Sequence, residues 1–166
     1  MTALSQGDAR ARRAARLGAV QALYQMELGG QDAEAVIDEF LTHRFRDGIE
    51  VAPAGDPDAE FFAAIVRDVP HHQVEIDRAI AQGLSENWKL ERIDSILRAI
   101  LRAAVFELIA RPDVPAKVAI DEYMEIAHAF FPGDEPAFVN AILDKIARGK
   151  RPSEFGGVHA DDAPRI

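Results

Sequence analysis

Cysteine is absent from the 166-residue chain, which excludes disulfide staples and thiolate metal sites and fits a reducing, cytoplasmic setting. Long apolar runs are absent too: no stretch approaches the length of a membrane span, so no membrane partner is expected. The N-terminus lacks the uninterrupted apolar segment of a secretory signal, because its basic residues lead into an amphipathic pattern that includes Gln21, Tyr24 and Gln25. Its Arg- and Ala-rich composition is like that of an organellar transit peptide, but nothing resembling a cleavage region separates it from the domain. Nor does any run alternate with period two for long enough to suggest a strand. With 48% apolar residues, what remains is an all-α chain able to bury one core, or two small helical subdomains sharing one.

Negative charge predominates, with a formal net charge of -9, yet there is no acidic residue from Ala9 to Met26. Arg10, Arg12, Arg13 and Arg16 all lie in that window. With no local acid to neutralise them, the four guanidiniums repel one another unless a polyanion visits. The guanidinium suits such a visitor, because its planar fork binds phosphate oxygens through two parallel hydrogen bonds and its face stacks on bases. In a helix Arg12 and Arg16 stack one turn apart and Arg13 lies about a hundred degrees round the axis, so three charges share one side. The competing interpretation is a solvated, frayed terminus.

Apolar spacing places seven helices. Leu17, Val20, Tyr24 and Leu28 give the first a core-facing stripe that ends at Gly29-Gly30. Val36, Ile37, Phe40, Leu41 and Phe45 mark the second. Asp47 to Pro57 reads as a loop, and Asp56-Pro57 signals the start of a third helix bearing Phe61, Phe62, Ile65, Val66 and Val69, which Pro70 stops or kinks. A fourth carries Val74, Ile76 and Ile80 and gives out near Gly83. Ile93, Ile96, Leu97, Ile100, Leu101, Ala104, Val105, Leu108 and Ile109 form the strongest periodic run and identify a central core helix. After the break at Arg111 to Pro115, a sixth helix spans about Ala116 to Phe130. After Phe131-Pro132-Gly133-Asp134, a seventh carries Phe138, Val139, Ile142, Leu143 and Ile146.

Four blocks of the chain resemble the bacterial NusB antitermination family, in the right order and with compatible spacing. They are Ala11 to Arg16 leading into Val20 to Gln25, Ile100 to Leu108, Asp113 to Glu122, and Phe138 to Asp144. The resemblance implies two roughly perpendicular three-helix bundles plus a C-terminal helix. Residues 1–8 are expected to be a flexible N-terminus, about 9–83 the N-terminal bundle, 84–148 the C-terminal bundle, and 149–166 a disordered tail. It also implies a non-enzymatic, cytoplasmic role without a cofactor: binding the boxA element of ribosomal-RNA leader transcripts with the small-subunit ribosomal protein NusE, within an RNA polymerase antitermination complex. The matching arginines would meet RNA, which is where the charge argument asked for a polyanion. Single-stranded RNA is read by stacking and base-edge hydrogen bonds while basic groups hold the phosphates.

Three further residues are expected at the RNA or partner interface. Tyr24 lies two turns beyond Arg16, and its competing role is a core aromatic with its hydroxyl at the rim. Phe130 sits at an aromatic loop and alternatively closes the C-terminal bundle. Asp134 stands where the family has an acidic residue beside the shared surface, and alternatively caps the seventh helix. Lys145, Arg148, Lys150 and Arg151 form a second basic cluster, suited either to phosphate or to a helix C-terminus.

The enzymatic readings are poor. His71 and His72 beside Glu75 and Asp77 point about a hundred degrees apart on a helix, so no metal is expected. Asp121, Glu122, Glu125 and Glu107 offer carboxylates, but acids on helices are usually solvated and no nucleophile or glycine-rich phosphate loop accompanies them. Asn140 falls on a core-forming helix and is expected to be buried and bonded to the loop before the sixth helix; Trp88 is expected to plug the space between bundles. Ala141 replaces a glycine common in the family, a change compatible with the N-terminal helical domain of ribosomal-RNA cytosine methyltransferases. The alternatives to RNA binding are therefore a stand-alone relative of that domain, or a helical protein-docking adaptor whose arginines serve an acidic protein surface.

Overall fold

Helix α1, Gln6–Gly29, begins where the Ser5 side chain accepts the Asp8 amide at 3.0 Å, satisfying one of the orphan donors of a helix start. It ends at Gly30, whose φ of 68° lets its amide return to the Met26 carbonyl. The computed structural model describes residues 5–47, 56–86 and 88–156. Most of the proposed loop between Asp47 and Pro57 therefore lies outside the described residues, as do residues 1–4 and 157–166.

The second helix, α2, starts as Ala33–Glu39 behind the Asp32 cap, continues through a π-helical stretch, Phe40–Arg44, and finishes with Phe45–Asp47. The wider turn has a clear cause. Phe40 and Phe45 are five residues apart, a spacing that a regular α-helix splays and a π turn aligns. Both rings are buried and pack with Phe62 of the next helix, at 5.6 and 5.0 Å between centroids. The Phe45 ring lies against Gly18 of α1, where any Cβ would run into it.

Helix α3 is Ala59–His71, capped by Asp58. Pro70 fits in its last turn, and the chain bends at His72 into α4, Gln73–Gly83. A 3-10 turn, Leu90–Arg92, leads to α5, Ser95–Ala110, whose Asp94 cap accepts two amides. Helix α6 is Ala116–Phe130 and α7 is Glu135–Lys150; a short 3-10 turn, Pro152–Glu154, comes next. Every regular element among the described residues is helical, as the periodicity predicts. No helix among them is long and apolar enough to cross a membrane.

The core is organised by α5, which is buried on nearly every side from Leu97 to Leu108 and touches α1, α3, α4, α6 and α7. Helices α1, α2 and α3 pack together on one side of it, and α6 and α7 on the other. Helix α4 departs from the sequence-based grouping: it packs chiefly on α5 and α7 rather than within the first bundle, because Ile76, Ala79 and Ile80 face that way. Helix α1 starts at Gln6 and a 3-10 turn reaches Glu154, so helical geometry extends into the segments 1–8 and 149–166.

Two packing expectations fail. Asn140 is exposed, since the α7 residues that enter the core are Val139, Ile142, Leu143 and Ile146. Trp88 is 55% exposed and lies tilted over Phe138, on the surface rather than as a plug between bundles.

Candidate nucleic-acid interface

The acid-free window of α1 is local to the sequence and does not survive folding. Arg16 is 3% exposed, and its Nε and Nη2 donate to the two oxygens of Glu107 on α5 at 2.8 and 3.0 Å. The Tyr123 hydroxyl on α6 donates to the same carboxylate at 2.5 Å. Burial opposes the Arg16 charge, but the hydrogen bonds and attraction of Glu107 outweigh it and hold the guanidinium above its ordinary range. Burial, reinforced by the Glu107 charge, pushes the Tyr123 hydroxyl well above the usual tyrosine range, so it remains a donor.

Arg12 lies between Asp58 and Asp113, 3.7 Å from each, with its guanidinium 4.5 Å from the centre of the Phe61 ring. Arg111 and Arg16 approach the same ring at 4.7 and 4.9 Å, favourable contacts for cations held against an aromatic face. Arg111 binds Asp113 through two N–H groups, both at 2.9 Å, which lowers the Asp113 carboxyl below its ordinary range. Arg13 is different. Its side chain is 62% exposed, although Nε and Nη2 donate to Glu122 of α6 at 3.2 and 3.1 Å; that bond raises its already basic guanidinium. Arg10 is exposed and takes part in none of the ion pairs among the described residues.

The expectation of an uncompensated arginine cluster is thus corrected. Glu107 and Glu122 come from 91 and 109 residues away, a separation invisible to a reading of neighbouring charges. The expectation that Glu107 is solvated is corrected with it, since Glu107 is 0% exposed. One signal did point there: a carboxylate embedded in the most apolar helix requires a cation, and α1 has a local surplus of them. What remains at the surface is an edge made by Arg10 and Arg13, while Arg12 and Arg16 fasten α1 to the loops and helices beneath.

Further along α1, Tyr24 and Phe130 do come together. They line a groove of about 390 Å³ with Val20, Leu28, Ile96 and a polar wall of Gln21, Gln25, Gln31 and Arg44. Arg44 donates to Gln25 and Gln21 at 3.0 and 3.2 Å, and Gln25 donates to Gln31 at 2.7 Å. The Gln21 Nε2 group is buried and has no hydrogen-bond partner among the described residues. Asp134 is exposed, does not line this groove, and makes no side-chain capping bond to α7.

The second basic cluster divides as well. Arg148 pairs with Asp144 within α7 at 2.8 Å. Arg151 turns inward and donates to the carbonyls of Glu107, Leu108, Arg111 and Val114 at 2.9, 3.0, 2.7 and 2.5 Å. It is therefore a C-terminal cap for α5 supplied by another part of the chain. Its neighbour Glu154 accepts the Ala116 amide at 2.8 Å, capping the start of α6. Lys145 and Lys150 are exposed. Among the described residues no group of three or more His, Asp or Glu side chains is placed to hold a metal ion.

Comparison with known proteins places this architecture. A family model described as the NusB family matches residues 13–148. The transcription antitermination protein NusB of Maricaulis maris is 54% identical over 151 residues, covering 91% of this chain and 94% of its own. That of Caulobacter vibrioides is 49% identical over 140 residues, covering 84% and 94%. Among solved structures, T. maritima NusB superposes with a TM-score of 0.72 at 32% identity, over 87% of this chain and 96% of that one. The NusB of a solved complex of the antitermination factors NusB and NusE with double-stranded RNA shares the fold, with a TM-score of 0.69 at 24% identity over 84% of this chain and 98% of that one. The arginine-led first helix, the apolar α5 and the family match across most of its length identify this chain as a member of the NusB family.

Proposed function

We propose that this protein is a non-enzymatic, cytoplasmic transcription antitermination factor that binds boxA RNA of ribosomal-RNA leader transcripts together with NusE, within an RNA polymerase complex. The observation that carries this reading is the division of one helix. The N-terminal turns of α1 present Arg10 and Arg13 to solvent, and its later turns form the Tyr24–Phe130 groove, about 16 Å further along at 1.5 Å per residue. An exposed guanidinium edge suits a phosphate strand. A largely apolar groove with a polar wall suits a protein partner. The two surfaces lie close enough for one RNA–protein pair to use both. In this assignment Arg12 and Arg16 act by positioning α1, and the exposed Asp134 weakens non-specific phosphate binding.

An overall charge of -9 limits how tightly the chain holds RNA alone, because few phosphates are neutralised while the remaining surface repels the strand. A basic ribosomal protein in the groove extends the positive surface. The pair is expected to bind boxA-like RNA at least about tenfold more tightly than this chain alone, a coupling of about 1.4 kcal/mol. Titrating the partner into this protein and labelled RNA, with a scrambled RNA of equal length in parallel, tests it. An unchanged Kd, or competition for the RNA, defeats the cooperative reading. Equal binding of both RNAs supports the alternative of a docking adaptor without sequence preference, a reading favoured by the acidic partners that Arg12 and Arg13 already have.

A further inference from the structure

Arg13 gives Glu122 its Nε and Nη2 groups, the edge that a phosphate bound side-on would take. A guanidinium edge satisfies one bidentate acceptor at a time, so the two ligands compete for it. The bond to Glu122 is a modest competitor because the Arg13 side chain is largely solvated, although Glu122 itself is 16% exposed; ion pairs with an exposed partner contribute about 1 kcal/mol. Glu122 is also not stranded by losing Arg13, since its Oε1 lies 3.6 Å from Nη1 of Arg16. That nitrogen is not one of the two Arg16 nitrogens that hold Glu107. The carboxylate thus has a second cation waiting beneath it, and Glu125 adds to the negative field around Arg13.

From this geometry we infer that Glu122 is an intramolecular competitor for the RNA phosphate: it occupies Arg13 in the free protein and transfers to Arg16 when the strand arrives. This rests on the reading of α1 as an RNA-binding surface and adds a selectivity device to it. An anion that brings a single contact must displace Glu122 unaided and gains little. A strand that also engages Arg10 or a docked partner supplies the difference from its other contacts. The carboxylate thereby lowers binding to stray polyanions more than binding to the intended ligand.

The test is a double-mutant cycle read by binding of a short labelled single-stranded boxA RNA, with the scrambled RNA alongside. Glu122→Gln is expected to raise affinity about fivefold, equivalent to about 1 kcal/mol, and to raise it at least as much for the scrambled RNA. Arg13→Ala is expected to lower affinity. In the Arg13→Ala background, Glu122→Gln is expected to change affinity by less than about twofold. Glu125→Gln makes the same charge change without touching the bidentate bond and is expected to give less than half the gain. Glu122→Asp, one methylene shorter, covers the case in which the glutamine variant folds poorly, and is expected to raise affinity in the same direction. Equal gains from Glu122→Gln with and without Arg13 would show that only bulk charge matters and would overturn the proposal. So would no gain at all in a protein that binds RNA. Failure of the underlying RNA reading looks different: the unmodified protein and Arg13→Ala would then bind RNA identically.

Discussion

Arg13 and Arg16 stand one turn apart on the same helix, and each grips a glutamate through Nε and Nη2. Burial separates their roles. Around Arg16 the charges are withdrawn from water, so each partner depends on the other and on the Tyr123 hydroxyl for its solvation. Around Arg13 the guanidinium is mostly in water although Glu122 is not, so the pair is held less tightly than the buried one and remains exchangeable. A cluster of like residues in sequence is therefore two devices in space: a buried polar seam that fixes where α1 sits, and a surface edge that remains available.

The sharpest way to break this comparison is Arg16→Ala. It leaves Glu107 buried with its charge uncompensated, and a loss of about 3–5 kcal/mol is expected from urea unfolding. Glu107→Gln provides the crossing test: destabilising in the unmodified protein, it is expected to stabilise the Arg16→Ala variant by removing the orphaned charge. If it destabilises both, burial of the charge is not the source of the cost.

Arg151→Ala should come next in size. Losing four carbonyl contacts is expected to cost about 2–3 kcal/mol, with faster hydrogen exchange at the Ala116 amide that Glu154 holds. An unchanged exchange rate there would show that the α5–α6 corner does not need the cap.

The smallest effect sharpens the comparison through pH. An unfolded chain ionises tyrosine near pH 10, whereas the buried Tyr123 keeps its proton well beyond that. Above about pH 10 the unfolded state has released a proton that the folded state retains, so the stability contribution is full below that pH and declines as pH rises. Tyr123→Phe removes this titration and should flatten the decline, by about 1.4 kcal/mol per pH unit at most. Urea midpoints for both proteins on either side of pH 10 measure it, and parallel curves would contradict a protonated Tyr123.

The sequence made the helices legible because their signals are local. Gly29-Gly30 and the break ending at Pro115 stand at helix ends as expected, the start signalled by Asp56-Pro57 falls two residues later at the Asp58 cap, and the apolar spacing of α5 announces its central place. The π turn in α2 was hidden, since the choice between α and π depends on whether Phe40 and Phe45 both find Phe62. For the proposed site, the sequence and the resemblance singled out the arginines and placed Tyr24, Phe130 and Asp134 at one interface; that Tyr24 and Phe130 share a groove and Asp134 does not, and which arginines remain exposed, depends on how α5, α6 and α7 pack on α1. Asn140 and Trp88 erred for a related reason: type and periodicity suggest burial, while the rotation of each helix about its axis decides it.

The Arg151 cap also has a consequence for the order in which the molecule is made. The carbonyls it satisfies belong to residues 107–114, and the side chain that satisfies them is encoded 37 to 44 positions later. During synthesis the corner between α5 and α6 leaves the ribosome without its cap, its carbonyls turned to water, while α1, α2 and α3 can already pack. The corner closes only when α7 has been completed and the residues beyond Lys150 fold back on it. Arg151 thus ties the joint beneath Arg12 and Asp113 to a segment of the chain that lies beyond the seventh helix.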